Sequence, residues 1–209
     1  MFFVFVVGAL LITYNTMSMF LEHFPDEKNQ HGWVEVVCGS MFSGKTEELI
    51  RRLKRAEFAK QKILLVKPMV DDRYHKENVV SHQGTSFNAI SLKDSKAVQD
   101  IWKNEKVVAI DEAQFFDEGI VEVCSFLAKK GARVIVAGLD MDFQGVPFGP
   151  MPKLLAIAEY VTKVHAICLS CGNLAQFSHR TAGHKEQVMV GAVEEYKPLC
   201  RSCFNKIAH

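Results

Sequence analysis

From Trp33 onward the chain alternates short β-branched apolar runs with longer stretches whose apolar residues return every three or four positions. "WVEVVC" (33–38) predicts a strand, and "KTEELIRRLKRAEFAK" (45–60) a helix with Leu49, Ile50, Leu53 and Ala56 along one face. "KILLVK" (62–67) and "KVVAI" (106–110) predict further strands. "DEGIVEVCSFLAKK" (117–130) predicts a helix stopped by Gly131, followed by a strand over "ARVIVAG" (132–138). Strands alternating with helices imply an α/β fold, a parallel sheet covered on both faces. Tyr74 to Lys96 is polar without clear periodicity and reads as a loop or irregular hairpin. After "VTKVHAI" (161–167) cysteine pairs punctuate short strand-like pieces. The expected organisation is therefore an N-terminal extension (1–31), an α/β domain (32–166) and a small C-terminal module (167–209).

The opening "MFFVFVVGALLITY" is apolar, but it is shorter than the roughly 20 residues a spanning helix needs. It lacks a basic leading segment and a small-x-small cleavage site. Met17 and Met19 follow, so residues 1–16 read as an over-long start, an unusual disordered or interface arm, or a targeting segment. With a formal charge of +1 the chain is no bulk-electrostatic binder of nucleic acid, and neither a nucleic-acid nor a membrane partner is expected. Cys38 and Cys124 lie in apolar runs and read as small buried hydrophobes. Without an export signal, the default compartment is a reducing cytoplasm.

The chemistry begins at "GSMFSGKT": Gly39, Ser40, Met41, Phe42, Ser43, Gly44, Lys45 and Thr46 satisfy G-x-x-x-x-G-K-[ST] between a predicted strand and a predicted helix. Glycines let the backbone curl so that N–H groups converge on phosphate oxygens, and the helix N-terminus adds its positive end. Lys45 is placed to reach the outer phosphates and the Thr46 hydroxyl to ligate Mg²⁺. The strand "VVAI" ends in Asp111 and Glu112, which point to opposite faces if the strand continues through them. One would face the metal and the other would be available as a base or to orient water, and spacing does not separate those uses. In "KPMVDDRY", Arg73 suits the charge of a transferring phosphoryl group and a nearby acid could assist the metal, although Asp-Arg pairs at strand ends are commonly surface ion pairs.

"CLSC" (168–171) and "CRSC" (200–203) form C-x₂-C…C-x₂-C. Cys168, Cys171, Cys200 and Cys203 suit a closed tetrahedral Zn²⁺ site, structural because four protein ligands leave no open position. Such an ion would tie together the ends of residues 172–199.

Taken together, "GSMFSGKTEELIRRL", "DDRY", "IDEAQFF", "LDMDFQGVPFG" and the cysteine pairs resemble the zinc-containing thymidine kinase family, across about residues 32–204. The resemblance implies a P-loop (RecA-like) core and transfer of the γ-phosphate of ATP to the 5′-hydroxyl of thymidine. It implies Glu112 as general base, Asp111 with Thr46 on Mg²⁺, Gln114 at the donor site, and Asp71 and Arg73 near the phosphates. It places Phe143 against the thymine ring, and Met41 and Leu139 in the methyl pocket. "QVMVGAVEEY" (187–196) matches a lasso whose backbone reads the base edge, with Val188, Met189, Val190, Gly191, Ala192 and Tyr196. It also implies a homotetramer and feedback inhibition by thymidine triphosphate.

The chain departs from the pattern at Ser178, where many relatives carry threonine, and in "VMVGA", which is less glycine-rich. His165, His179 and His184 read as surface or packing residues, since four cysteines already supply the ligands. A nucleic-acid-dependent ATPase would want a basic, aromatic-dotted ribbon face, whereas residues 185–197 mix Lys185 and Lys197 with Glu186, Glu194 and Glu195. A purely regulatory relative is disfavoured because Lys45, Thr46, Asp111 and Glu112 are all present.

Overall fold

Six strands of the computed structural model run parallel in one sheet; the model describes residues 31–69, 78–80, 86–181 and 195–207. The strands are β1 (Trp33–Cys38), β2 (Ile63–Pro68), β5 (Ile90–Leu92), β6 (Val107–Ile110), β7 (Arg133–Gly138) and β8 (Tyr160–Lys163). Their order is β5-β2-β6-β7-β1-β8, and every pairing is parallel. Between β2 and β5, β3 (Asn78–Val80) and β4 (Ser86–Asn88) form a small antiparallel pair. The reading of Tyr74–Lys96 as loop or irregular hairpin holds for that pair but misses β5, whose three residues are too few to show a period.

Alternation along the central strands divides the core in two. Val34, Val36, Val108, Ile110, Val134 and Val136 face one layer; Val37, Val107, Ala109, Ile135 and Ala137 face the other. Helix α1 (Lys45–Phe58) covers the second layer with Leu49, Ile50, Leu53 and Ala56, the stripe expected from sequence. Leu49, Ile50 and Leu53 each contribute about 1.5–3 kcal/mol by leaving water. Helices α2 (Ser95–Ile101), α3 (Ile120–Lys129) and α4 (Met151–Ile157) cover the first layer through Val98, Ile120, Val123, Cys124, Leu127, Met151 and Leu154. Cys38 and Cys124 are core residues, and burial pushes their thiols up to about 11 and about 12.

Helix α3 starts at Ile120 rather than at Asp117, because the Asp117 carboxylate is used elsewhere: it accepts from the N–H of Ser95 at 2.7 Å, the Ser95 hydroxyl at 2.7 Å and the N–H of Gly119 at 2.9 Å. Helix α1 ends at Phe58, before Lys60 with its φ of 54°.

The cysteine-bearing segment has its own small core. Strands β9 (Ala166–Ile167) and β10 (Leu174–Ala175) pair, as do β11 (Phe177–Arg180) and β12 (Tyr196–Leu199), and helix α5 (Arg201–Ile207) follows. Phe177 and Phe204 stack at 4.4 Å, with Ala166, Ala175 and Leu199 around them. Met141, from the segment after β7, packs against this cluster. Among the described residues no helix is long and apolar enough to cross a membrane. The expectations for residues 1–30, Asp71, Arg73, His184 and Val188–Ala192 lie outside the described residues.

Candidate active site

The carboxyl ends of β1, β6 and β7 converge, with Cys38 beside Gly138 and Ile110 beside Val136 in register. Ligands of open parallel sheets bind at that edge. The Gly39–Thr46 loop leaves β1 with Gly39 at φ 149°, where a Cβ would come within 2.2 Å of the Val164 carbonyl oxygen; no other residue fits. Helix α1 then starts at Gly44 in a left-handed conformation; glycine has no side chain to cap the first N–H groups, which suits an anion there. Lys45 Nζ and Ser43 Oγ both donate to the Ser40 carbonyl, at 2.8 and 2.7 Å. Burial pushes the Lys45 ammonium below its ordinary range, while Glu112, Asp111 and Asp140 oppose that shift.

Asp111 and Glu112 do not lie on a continuing strand. Strand β6 stops at Ile110, and Glu112 takes a left-handed backbone (φ 52°, ψ 37°) at the head of a 3₁₀ turn, Ala113–Phe115. The opposite-face reading is therefore corrected: a turn, not strand alternation, separates the two carboxylates. Asp111 is buried, and its Oδ1 accepts from the Glu112 N–H at 3.0 Å. Burial first, and then the charge of Glu112, raise the Asp111 carboxyl to about 7, with Lys45 and Lys67 pulling the other way. Glu112 is half-buried, and its Oε2 accepts from Gln114 Nε2 at 2.6 Å. Gln114 Oε1 in turn accepts from the Leu139 N–H at 2.9 Å. Gly138 makes room for this bridge, since a Cβ there would come within 2.8 Å of Gln114 Oε1.

Met41, Leu139 and Phe143, expected around a base, are half-buried on loops at this edge. Ser178 belongs to β11, where its Oγ accepts from the Met41 N–H at 2.9 Å and so joins the phosphate loop to the cysteine-bearing segment. Tyr196 opens β12. Cys168, Cys171, Cys200 and Cys203 bring their sulfurs within 4.8 Å of one another, a donor set and spacing that fit Zn²⁺. Asn173 Nδ2 adds a contact to Cys171 Sγ at 3.5 Å. His165 is exposed, and His179 meets Phe204 edge-on at 6.1 Å, in line with surface and packing roles.

Several neighbours of the site were missed in the sequence. Asp140, buried directly after Leu139, binds Lys163 Nζ at 2.6 Å, and Lys163 is the register partner of Cys38 at the start of the phosphate loop. Phe115 packs edge-on against Phe148 at 5.5 Å, one turn from Glu112. Arg180 lies against both Phe143 and Tyr196. Its signal was available: on a strand, Arg180 shares a face with Ser178.

Comparison with known proteins adds the following. The family model described as thymidine kinase matches residues 32–204. A thymidine kinase of Bacteroides fragilis is 54% identical over 190 residues, covering 91% of this chain and 96% of its own. One of Bacteroides thetaiotaomicron is 55% identical over 188 residues, covering 90% and 94%. Among solved structures, the genome packaging NTPase B204 of Sulfolobus turreted icosahedral virus 2, in complex with ATP-gammaS, is 15% identical with a TM-score of 0.44, over 68% of this chain and 78% of its own.

Proposed function

The chain belongs to the thymidine kinase family, whose reaction here is ATP-dependent phosphorylation of thymidine, and we propose that Glu112 is the base that starts it. The observation that carries this assignment is the Gln114 bridge, which ties the Glu112 carboxylate to the backbone at the end of β7, the strand beside β1, from which the phosphate loop starts. In the step, a Glu112 oxygen takes the proton of the thymidine 5′-hydroxyl as that oxygen attacks the γ-phosphorus. A new O–P bond forms, the bond from the γ-phosphorus to the β–γ bridging oxygen breaks, and ADP leaves with the electron pair. Protonated Glu112 and thymidine monophosphate result.

Gly39–Thr46 holds the ATP phosphates in this reading, with Ser40, Met41, Phe42, Ser43 and Gly44 contributing backbone and Lys45 its charge. Asp71 and Arg73 join it by family resemblance. Thr46 and Asp111 would hold Mg²⁺: a buried carboxyl raised toward neutrality beside a second acid is a fitting partner for a divalent cation. When bound, the ion supplies neutralisation of phosphate charge. Met41, Leu139, Phe143, Ser178, Val188–Ala192 and Tyr196 receive the thymidine. The module from residue 167 onward serves the nucleoside, and the cysteine quartet, loaded with zinc, holds its fold.

A homotetramer, feedback inhibition by thymidine triphosphate and a cytoplasmic location belong to the same proposal and rest on family resemblance.

The test is ADP release with a nucleoside panel, for wild type and Glu112→Gln. Thymidine should stimulate release in the wild type, and the variant should lose at least about 100-fold in kcat with both substrates still bound. Unchanged turnover would remove Glu112 as the base.

A further inference from the structure

Arg180 carries a charge that the proposed reaction does not use, yet it is only 6% exposed. Its guanidinium carbon lies 4.0 Å from the centroid of the Phe143 ring and 5.1 Å from that of Tyr196. Nε donates to Tyr196 Oη at 3.0 Å, and Nη2 donates to the same oxygen. Phe143 belongs to the segment after β7, whereas Tyr196 opens β12, directly opposite Arg180 in the β11–β12 register. One planar cation thus joins an aromatic ring at the edge of the large sheet to another in the cysteine-bearing segment.

Resting on the reading of Phe143 and Tyr196 as thymidine-binding residues, we infer that Arg180 is a positioning residue for the nucleoside, holding the Phe143 ring and the Tyr196 phenol in one preset arrangement. The chemistry of guanidinium suits that task. Its face stacks on an aromatic ring while its edge presents a fork of donors, a combination an ammonium cannot make. Two donors converging on Tyr196 Oη occupy its acceptor capacity, so the phenol proton turns away from Arg180 and the hydroxyl serves as a donor. Side chains ordered before binding lose less freedom when the base arrives. Ser178, two residues earlier on the same face of β11, accepts from Met41 N–H, so one strand bears on the aromatic pair and the phosphate loop together.

The experiment uses the full, zinc-loaded protein: steady-state kinetics for thymidine and for ATP, with thymidine affinity by calorimetry. Arg180→Met keeps the aliphatic stem without the fork, and the KM for thymidine should rise about tenfold while that for ATP stays within about twofold. Arg180→Lys, which restores charge but not the fork, should leave most of that defect in place. In a cycle with Tyr196→Phe, the double variant should be little worse than the poorer single one. Parallel rises in both KM values, recovery of wild-type thymidine KM by lysine, or full additivity would each overturn the role. Should Arg180→Met not fold, Arg180→Lys decides by the same split between the two substrates. A wild type that turns over no thymidine would remove the underlying reading itself. Turnover with an unmoved thymidine KM in the variants would remove only the role of Arg180.

Discussion

Gln114 Nε2 lies 2.6 Å from Glu112 Oε2, and the other end of the same amide accepts from the Leu139 N–H at 2.9 Å. A side chain that the family resemblance places at the donor site also bonds the carboxylate proposed as base. Gln114→Leu should lower kcat about 10- to 100-fold with little change in the KM for ATP, because an unaimed base is a poor one. It also leaves the Leu139 N–H without its partner, a loss of about 1–3 kcal/mol in unfolding free energy. Gln114→Glu sets a second negative charge beside Glu112. That residue repels the Glu112 carboxylate and no longer donates to it, so kcat should fall at least as far as in Gln114→Leu. Steady-state kinetics and urea unfolding of the three proteins check these statements.

The sheet and the phosphate loop were legible because each is announced by short-range pattern. Apolar alternation marks β1, β6 and β7, and the loop motif lies contiguous between β1 and α1. The four cysteines were legible as a spacing, and their sulfurs converge. What stayed hidden depends on contacts between distant parts of the chain. The left-handed turn at Glu112 has no sequence mark, since glutamate is not a residue that favours φ of 52°. The Arg180–Phe143 and Asp140–Lys163 contacts join residues that only the fold makes neighbours. β5 and α5 are three and seven residues long, too short for periodicity to speak.

A second hidden feature is the buried charge cluster on the α1 side of β1. Glu35, 1% exposed, accepts from Arg52 Nη1 at 2.7 Å, from Arg133 Nε at 2.6 Å and from Trp33 Nε1 at 2.6 Å. Arg52 Nε reaches Glu48 at 2.8 Å, and its Nη2 reaches Thr162 Oγ1 at 2.9 Å. Glu35→Met removes a charge that two buried guanidinium groups face, and should cost about 3–5 kcal/mol. Replacing Glu35, Arg52 and Arg133 together by apolar residues of similar volume should recover most of that loss. Urea unfolding of the single and triple variants measures the difference.

Asp117 gives a pH-dependent contribution to stability. Hydrogen bonds from the Ser95 hydroxyl, first of all, and from the N–H groups of Ser95 and Gly119 hold its carboxyl below the ordinary value, against the opposing effect of burial. A depressed folded-state value means that the stabilisation is complete above the unfolded value of about 3.9 and is lost as pH falls through the folded one. Asp117 is exposed, so the effect is modest, below about 1 kcal/mol. Asp117→Asn should be less stable than wild type at pH 7, and the gap should close below about pH 4. Thermal unfolding at both pH values tests the sign.

The cysteine quartet adjoins the β11–β12 pair, which the backbone also holds. The Thr181 N–H donates to the Glu195 carbonyl at 2.8 Å and its hydroxyl reaches the same oxygen at 3.0 Å, so Thr181 and Glu195 are held side by side. Next to that contact β11 pairs with β12, and Cys200 follows β12 at once. Losing one of the four sulfurs should loosen the β11–β12 pair, while Lys45 and Thr46, in the first turn of α1, keep the helix and the Lys45–Ser40 contact as supports. Cys200→Ser, or stripping the protein with a chelator, should therefore raise the KM for thymidine several-fold more than the KM for ATP. Equal rises in both would mean that the quartet supports the whole fold rather than the nucleoside loop. Kinetics paired with zinc content per chain separate the two outcomes.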